Sequence, residues 1–115
     1  MWQYLNRIEL KGRIGTIRIN DVNEAKVAYF SVITEHLYKT REGNVVSEDT
    51  WFNVTAWNSR EMPDFDKLSK GMPIYVSGRM RTSRYTSADG TEKLYYEILA
   101  NRIRFVAEDE AQEAR

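Results

Sequence analysis

Residues 50–57 of the chain read TWFNVTAW, and their side chains alternate in character with a period of two. That period is typical of a β-strand, in which successive side chains point to opposite faces. Phe52, Val54 and Ala56 fall on one face, which we expect to be the core face. The opposite face combines two tryptophans with two polar residues, Trp51, Asn53, Thr55 and Trp57. This strand therefore predicts a sheet with one buried side and one aromatic side.

The aromatic side of this strand is suited to a particular class of ligand. Tryptophans that alternate with hydrogen-bonding groups are costly to bury, because the polar groups lose water. Nucleobases suit such a face, since each base that stacks on an aromatic ring gains about 1–3 kcal/mol whatever its identity. The alternative is that Trp51 or Trp57 closes a barrel end or packs under a helix.

Four more segments are predicted to be strands. The first alternates from Ile8 to Ile14 and resumes out of phase at Ile17, which predicts a bulge or bend beside Gly15. The others are residues 26–38, 73–81 and about 94–105, the last with a second phase slip before Ile103, and a polar turn is expected at residues 41–44.

One segment between the third and fourth strands reads as helical. Met62, Phe65 and Leu68 recur at a spacing of three, which predicts a short helix of about ten residues that ends near Gly71. Asp89-Gly90 predicts the tip of a long hairpin between the fourth and fifth strands. Five strands in this order, with one helix after the third, predict an all-β OB-fold, a small Greek-key barrel. The pattern by itself leaves an SH3-like barrel or a small α+β sheet open.

Composition limits the class of protein. At 115 residues the chain suits one domain, expected over residues 1–106, and the acidic segment 107–115 is expected to be a mobile tail. With no cysteine, neither a disulfide nor a thiolate metal site can form. The chain has no long apolar run and no signal-peptide pattern at its start. We therefore expect a cytoplasmic protein with no membrane contact, no cofactor and no metal.

Basic residues are concentrated in one part of the chain. The formal net charge is zero, but residues 1–106 hold 16 basic against 13 acidic residues, a net charge of +3. Alternation in the fourth strand directs Ile74, Val76 and Met80 inward and Tyr75, Ser77, Arg79 and Arg81 outward. Arg84 and Tyr85 follow on the hairpin arm. We expect Arg79, Arg81, Arg84 and Tyr85 to contact phosphates and bases. The alternative is that these arginines are solvated or form surface ion pairs.

Catalysis has little support in the sequence. His36 is the one histidine and has no cysteine partner or recognisable motif around it. Asp64 and Asp66 resemble a metal pair, but they lie at the start of the predicted helix, where acidic side chains favour the helix dipole. We therefore expect a binding protein and no enzyme.

Taken together, these segments resemble the bacterial single-stranded DNA-binding protein family over about residues 5–106. The resemblance is carried by residues 6–15 (NRIELKGRIG), 27–32 (VAYFSV), 51–57 (WFNVTAW) and 70–82 (KGMPIYVSGRMRT). It implies that Tyr38, Trp51, Trp57 and Tyr85 stack on the bases of the strand. It also implies a homotetramer paired through first-strand edges. Family members commonly continue to an acidic tip that recruits replication and repair proteins. This chain stops at Arg115 without such a tip, either as a truncation or as a short family variant, and the sequence leaves recruitment of those proteins open.

Three classes of function follow from these features. The favoured one is sequence-tolerant binding and protection of single-stranded DNA during replication, recombination or repair. The second is an RNA-binding or primosome-type OB subunit that acts mainly through protein contacts. The third, a small nuclease, lacks a set of metal ligands in the sequence.

Overall fold

The computed structural model describes residues 2–108 and is a closed five-stranded barrel. Its strands are β1 (Ile8–Val22), β2 (Ala25–Lys39), β3 (Val45–Trp57), β4 (Pro73–Thr86) and β5 (Glu92–Phe105), arranged around the barrel in the order β1-β2-β3-β5-β4. All neighbouring strands are antiparallel except β3 and β5, which pair in parallel. The predicted all-β OB-fold barrel is confirmed.

β1 closes the barrel because it changes partner along its length. Residues Ile8–Arg13 pair with β4, whereas Arg13–Val22 pair with β2. The β1–β2 register shifts between Ile14 and Ile17, which confirms the bulge predicted beside Gly15. A second irregularity lies at Asn101, since Ser77 pairs with Arg102 but Gly78 pairs with Ala100. It confirms the predicted slip before Ile103, so both changes of phase in the sequence mark real bends.

The core consists of the inward faces of all five strands. Its fully buried aliphatic side chains include Ile14, Val32, Val54, Ile74, Val76 and Ile98. Each such side chain contributes about 1.5–3 kcal/mol through removal of its apolar surface from water. The predicted core face of β3 is confirmed, because Val54 and Ala56 are buried and Phe52 packs against the same cluster.

The short helix predicted between the third and fourth strands is confirmed in place, but its predicted length of about ten residues is wrong. A single 3₁₀ turn spans Phe65–Lys67. Asp64 begins it, with its carboxylate accepting a hydrogen bond from the backbone N–H of Asp66 at 3.0 Å. A spacing of three matches the 3.0 residues per turn of a 3₁₀ helix better than the 3.6 of an α-helix. Phe65 and Leu68 are nevertheless buried in the core, so the apolar spacing correctly identified the buried residues of this connection.

The two long hairpins extend further than the sequence indicated. The β2–β3 ladder continues to the pair Lys39↔Val45, and the β4–β5 ladder continues to Thr86↔Glu92. The hairpin centred on Asp89-Gly90 is confirmed, with Gly90 at a φ of 85°. At its tip the Ser87 hydroxyl and the Thr91 backbone N–H both donate to the Asp89 carboxylate, and these bonds lower the pKa of Asp89 to about 2.

The boundary between domain and tail stays a prediction. Glu108 is the last described residue, and its carboxylate accepts two hydrogen bonds from the Arg13 guanidinium, at 2.7 and 3.0 Å. The rest of the predicted tail, residues 109–115, lies outside the described part of the chain. Within residues 2–108, no helix has the length and apolar character needed to span a membrane.

Candidate nucleic-acid interface

The outward face of β3 carries the two tryptophans that the sequence singled out. Trp51 is 60% exposed and Trp57 is 42% exposed, although both belong to a strand whose other face is core. Asn53 lies exposed between them, whereas Thr55 is buried. Six residues of extended strand place the two indoles about 20 Å apart. The face therefore offers two separated aromatic surfaces joined by polar groups.

The Trp51 indole packs over Gly15, at the bulge in β1. A Cβ on Gly15 would lie 2.6 Å from Cζ3 of Trp51 and 2.7 Å from Oγ of Ser31, so the indole occupies the space that any other side chain would fill. The same bulge lets the backbone N–H of Thr16 donate to Ser31 Oγ at 2.9 Å. The ring is thereby supported from below while its outer surface stays exposed.

Next to this face, β1 and β2 form the floor of an outer groove of about 390 Å³. The Arg18 guanidinium lies over the Tyr29 ring, 4.9 Å from its centroid. The residues that line the groove with polar or aromatic side chains are Thr16, Arg18, Tyr29, Asn53, Thr55, Tyr95 and Glu97. Sequence analysis missed Arg18 and Tyr29, although each alternates with core residues and could have been assigned to the outward face by the same period of two.

A buried carboxylate organises the centre of the site. Glu97 is only 6% exposed, and its Oε2 accepts from Thr55 Oγ1 at 2.8 Å while Oε1 accepts from Arg81 Nε at 2.6 Å. Ser83 Oγ donates to Oε1 as well, at 3.3 Å. Burial raises the pKa of the Glu97 carboxyl, but the hydrogen bonds from Thr55 and Arg81 outweigh it, and the pKa lies below its ordinary value. This network ties β3, β4 and β5 together.

Arg81 is therefore not a free outward cation. It is half-buried and paired with the buried Glu97, whereas the alternative considered from the sequence was solvation or a surface ion pair. Arg79, two residues earlier on the same face, is exposed. Its side chain is the more accessible of the two for a phosphate.

The arm of β4 and β5 places its aromatic and basic residues on two different faces. Tyr85 and Tyr95 lie on the face of Arg79 and Arg81, with ring centroids 5.8 Å apart and edges in contact. Arg84 lies on the other face, where its guanidinium is 3.8 Å from the Glu92 carboxylate. The structure therefore brings Tyr85 together with Arg79 and Arg81 but separates Arg84 from them.

Tyr38 is also separated from the tryptophans by strand alternation. It pairs with Val46 across the β2–β3 ladder, on the face that continues the barrel interior, whereas Trp51 pairs with Ile33 on the outward face. Tyr38 is 44% exposed, and its ring stacks on His36 at a centroid distance of 6.1 Å. The four aromatics named from the sequence are all exposed, but they do not share one surface.

The acidic and histidine side chains of residues 2–108 are dispersed over the barrel. No group of three or more histidine, cysteine or acidic side chains is close enough there to hold an ion. Asp66, one member of the aspartate pair considered above, forms an ion pair with Lys26 at 3.2 Å. Hydrogen bonding, stacking and charge are thus the chemistry that the described site offers.

Sequence comparison with known proteins points to one family. The model of a family described as "Single-strand binding protein family" matches residues 5–106. A single-stranded DNA-binding protein of Neisseria meningitidis serogroup B is 32% identical over 105 residues, which cover 89% of this chain and 60% of that protein. The corresponding protein of Xanthomonas campestris is 30% identical over 104 residues, again 89% of this chain and 60% of its own length. The chain spans about 60% of the length of these curated relatives.

Solved structures agree with the barrel. The "Plasmodium falciparum SSB complex with ssDNA" superposes with a TM-score of 0.75 at 26% identity, covering 93% of this chain and 99% of that one. A deletion mutant of the single-stranded DNA binding protein from Thermus aquaticus superposes with a TM-score of 0.73 at 19% identity, covering 90% of this chain and 51% of that one. At 19% identity, the similarity to the Thermus aquaticus protein shows a shared fold only.

Proposed function

The chain belongs to the single-strand binding protein family, and we propose that it binds and protects single-stranded DNA with little regard to sequence. In this role it would act during replication, recombination or repair. The observation that carries the proposal is the outward face of β3, where Trp51 and Trp57 stay exposed on a strand whose opposite face is core. The proposal includes no catalytic step.

The mechanism divides binding between stacking and charge. Trp51, Trp57, Tyr38 and Tyr85 are the proposed stacking residues, and stacking tolerates every base because each has a flat π-face. Arg79, Arg81 and Arg84 are the proposed phosphate contacts, with Arg79 the most accessible among those on the Tyr85 face. Arg18, which lies over Tyr29 and lines the outer groove, is added as a further cation for phosphate or base.

Intrinsic fluorescence tests this function directly. Oligo-dT is titrated into the protein while tryptophan emission is followed, with oligo-U in a parallel series. A base stacked on Trp51 or Trp57 should quench the emission, and the variant Trp51→Phe should lose part of the quenching while Trp2→Phe should retain it. Equal or stronger quenching with oligo-U would favour an RNA-binding subunit. No quenching with either polymer would favour a role through protein contacts.

The assembly proposed for this chain is a homotetramer that pairs through β1. Residues Ile8–Gly12 pair with β4 on one edge, and the β1–β2 register begins at Arg13, so the other edge of this segment carries no strand within residues 2–108. An unpaired edge is a template for a second copy. Light scattering at micromolar concentration should give four times the chain mass; a monomer would contradict the assembly and leave strand binding untouched.

The cellular setting proposed is the cytoplasm, in association with the nucleoid. Single-stranded DNA arises there during replication and repair, and the proteins of those processes are the proposed neighbours of this one. Fluorescence microscopy of a tagged chain before and after replication arrest tests this setting: foci that form on arrest support it, and a diffuse signal in both states contradicts it.

A further inference from the structure

A depression opens between β3 and β5 where the two strands separate. They pair directly at Val54↔Ile98 and Thr55↔Leu99. The residues just before these pairs, 51–53 on β3 and 96–97 on β5, line the depression together with Met80 and Ile98. Its volume is about 390 Å³, within the range of small-ligand sites.

Two exposed aromatic rings stand at this depression over an apolar floor. Trp51 is 60% exposed and Tyr96 is 59% exposed, and both residues line the depression. The floor consists of Phe52, Met80 and Ile98, all of which belong to or pack against the core. Exposed aromatics gain most when a flat apolar group covers them, because that contact removes surface of both partners from water. A nucleobase is such a group.

The depression adjoins the outer groove, so one strand of nucleic acid can pass through both. Asn53 and Glu97 line both spaces and form the wall between them. Tyr95 and Tyr96 are successive residues of β5 and therefore point to opposite faces. Tyr95 lines the groove and Tyr96 lines the depression, so the return arm of the hairpin supplies one ring to each space.

We propose that Trp51 and Tyr96 bind one nucleobase of single-stranded DNA between them, with Tyr96 as an additional stacking residue. The inference rests on the proposed function of strand binding. The carboxylate at the wall is already engaged, because Glu97 accepts hydrogen bonds from Thr55, Arg81 and Ser83. The site therefore holds its base by its faces rather than by its edge, and it accepts all four bases.

The test compares equilibrium affinities for oligo-dT among the parent and three variants. Tyr96→Ala should weaken binding about 5- to 150-fold, the loss of one base stack. Tyr96→Phe keeps the ring and should stay within about twofold of the parent, since stacking uses the π-face and not the hydroxyl. Leu94→Ala is the matched control, because Leu94 is 50% exposed on the same face of the same strand but does not line the depression. Circular dichroism checks that each variant is folded.

Each result bears on the inference. A loss of oligo-dT affinity in Tyr96→Ala, with none in Tyr96→Phe or Leu94→Ala, supports the site. Binding by Tyr96→Ala that equals that of the parent or of Leu94→Ala overturns it, and so does a Tyr96→Phe variant as weak as Tyr96→Ala, since the ring would then not be the binding group. If the parent itself fails to bind oligo-dT, the proposed function fails first and the inference with it. Oligo-dA and oligo-dC should show the same ratio between parent and Tyr96→Ala; a ratio that depends on the base would contradict binding by faces.

Discussion

Two hairpin arms extend from the same barrel with similar backbones and different surfaces. The β2–β3 arm, residues 34–50, holds four acidic residues against two basic ones and a single tyrosine, Tyr38. The β4–β5 arm, residues 82–96, holds two acidic and two basic residues and three tyrosines, with Arg79 and Arg81 at its root. A polyanion should therefore meet attraction and stacking on the second arm and mainly repulsion on the first.

The contrast extends to how the aromatic rings are held. Tyr85 is packed edge-to-face against Tyr95, and the arm beneath is fixed by the ion pair of Arg81 with buried Glu97. Tyr38 has His36 as its ring neighbour, at a centroid distance of 6.1 Å. A ring that is already held in place loses less conformational freedom when a base stacks on it. The family resemblance gives Tyr38 and Tyr85 the same stacking role, but we expect Tyr85 to contribute more binding free energy than Tyr38.

The largest expected effect separates the two arms by their stacking. Tyr85→Ala should cost about 1–3 kcal/mol of binding free energy for oligo-dT, whereas Tyr38→Ala should cost less than about 1 kcal/mol because its ring is less well supported and sits near acidic side chains. Fluorescence titration at fixed salt measures both. Equal losses would remove the contrast, and a larger loss for Tyr38→Ala would reverse it.

Stability should depend on the root of the β4–β5 arm. Arg81→Ala leaves the Glu97 carboxylate buried with two hydroxyl donors and no cation, which should cost about 1–3 kcal/mol of unfolding free energy. Arg79→Ala removes an exposed side chain and should change stability by about 0.5 kcal/mol or less. Urea denaturation of both variants measures the two unfolding free energies. An Arg81→Ala variant as stable as the parent would show that the ion pair with Glu97 does not stabilise the fold.

The same ion pair predicts how the fold responds to acid. The folded pKa of Glu97 lies below its unfolded value of about 4.3, so its stabilisation is present above that pH and is lost as the pH falls through the folded pKa. The Tm of the parent should therefore drop more steeply below about pH 4 than that of Glu97→Gln, which has no charge to lose. Thermal melts between pH 7 and pH 2 provide the comparison. Parallel curves would mean that Glu97 does not contribute to acid unfolding.

The salt dependence of DNA affinity should change when an arginine of the β4–β5 arm is removed but not when one of the β2–β3 arm is removed. If Arg79 neutralises a phosphate, Arg79→Ala should reduce the slope of log affinity against log salt by about 0.7. Arg41, exposed in the turn of the β2–β3 arm, is the matched control, and Arg41→Ala should leave the slope unchanged. Titrations at four salt concentrations give both slopes. If only Arg41→Ala changes the salt slope, the phosphates lie along the β2–β3 arm and not along the β4–β5 arm.

The smallest expected effect tests repulsion from the β2–β3 arm. The double variant Glu48→Gln, Asp49→Asn removes two exposed acidic charges and should strengthen binding by about 0.2–1 kcal/mol at low salt. Above roughly 0.3 M salt the gain should vanish, because screening shortens the reach of surface charges. Weaker binding by the double variant would mean that these side chains contact the strand directly.

Sequence reasoning located the strands and both bulges because the evidence for them is local. The phase slips beside Gly15 and before Ile103 are visible in the order of apolar residues, and the register shifts occur there. The same reasoning overestimated the helix, since a spacing of three over Met62, Phe65 and Leu68 fits a 3₁₀ turn as well as an α-helix. It also grouped Arg84 with Arg79 and Arg81, although a period of two along β4 already puts Arg84 on the other face.

The sequence by itself indicated the family resemblance, the order of the strands and the aromatic side of β3, because strand periodicity and motifs are properties of short segments of the chain. Only the tertiary structure decided that Arg81 is bound to Glu97 and that Tyr96 lines the same depression as Trp51. The physical reason is distance along the chain. Arg81 is 16 residues from Glu97, and Trp51 belongs to a different hairpin from Tyr96. The ion pair and the shared depression therefore form only once β5 has paired with β4 on one side and with β3 on the other.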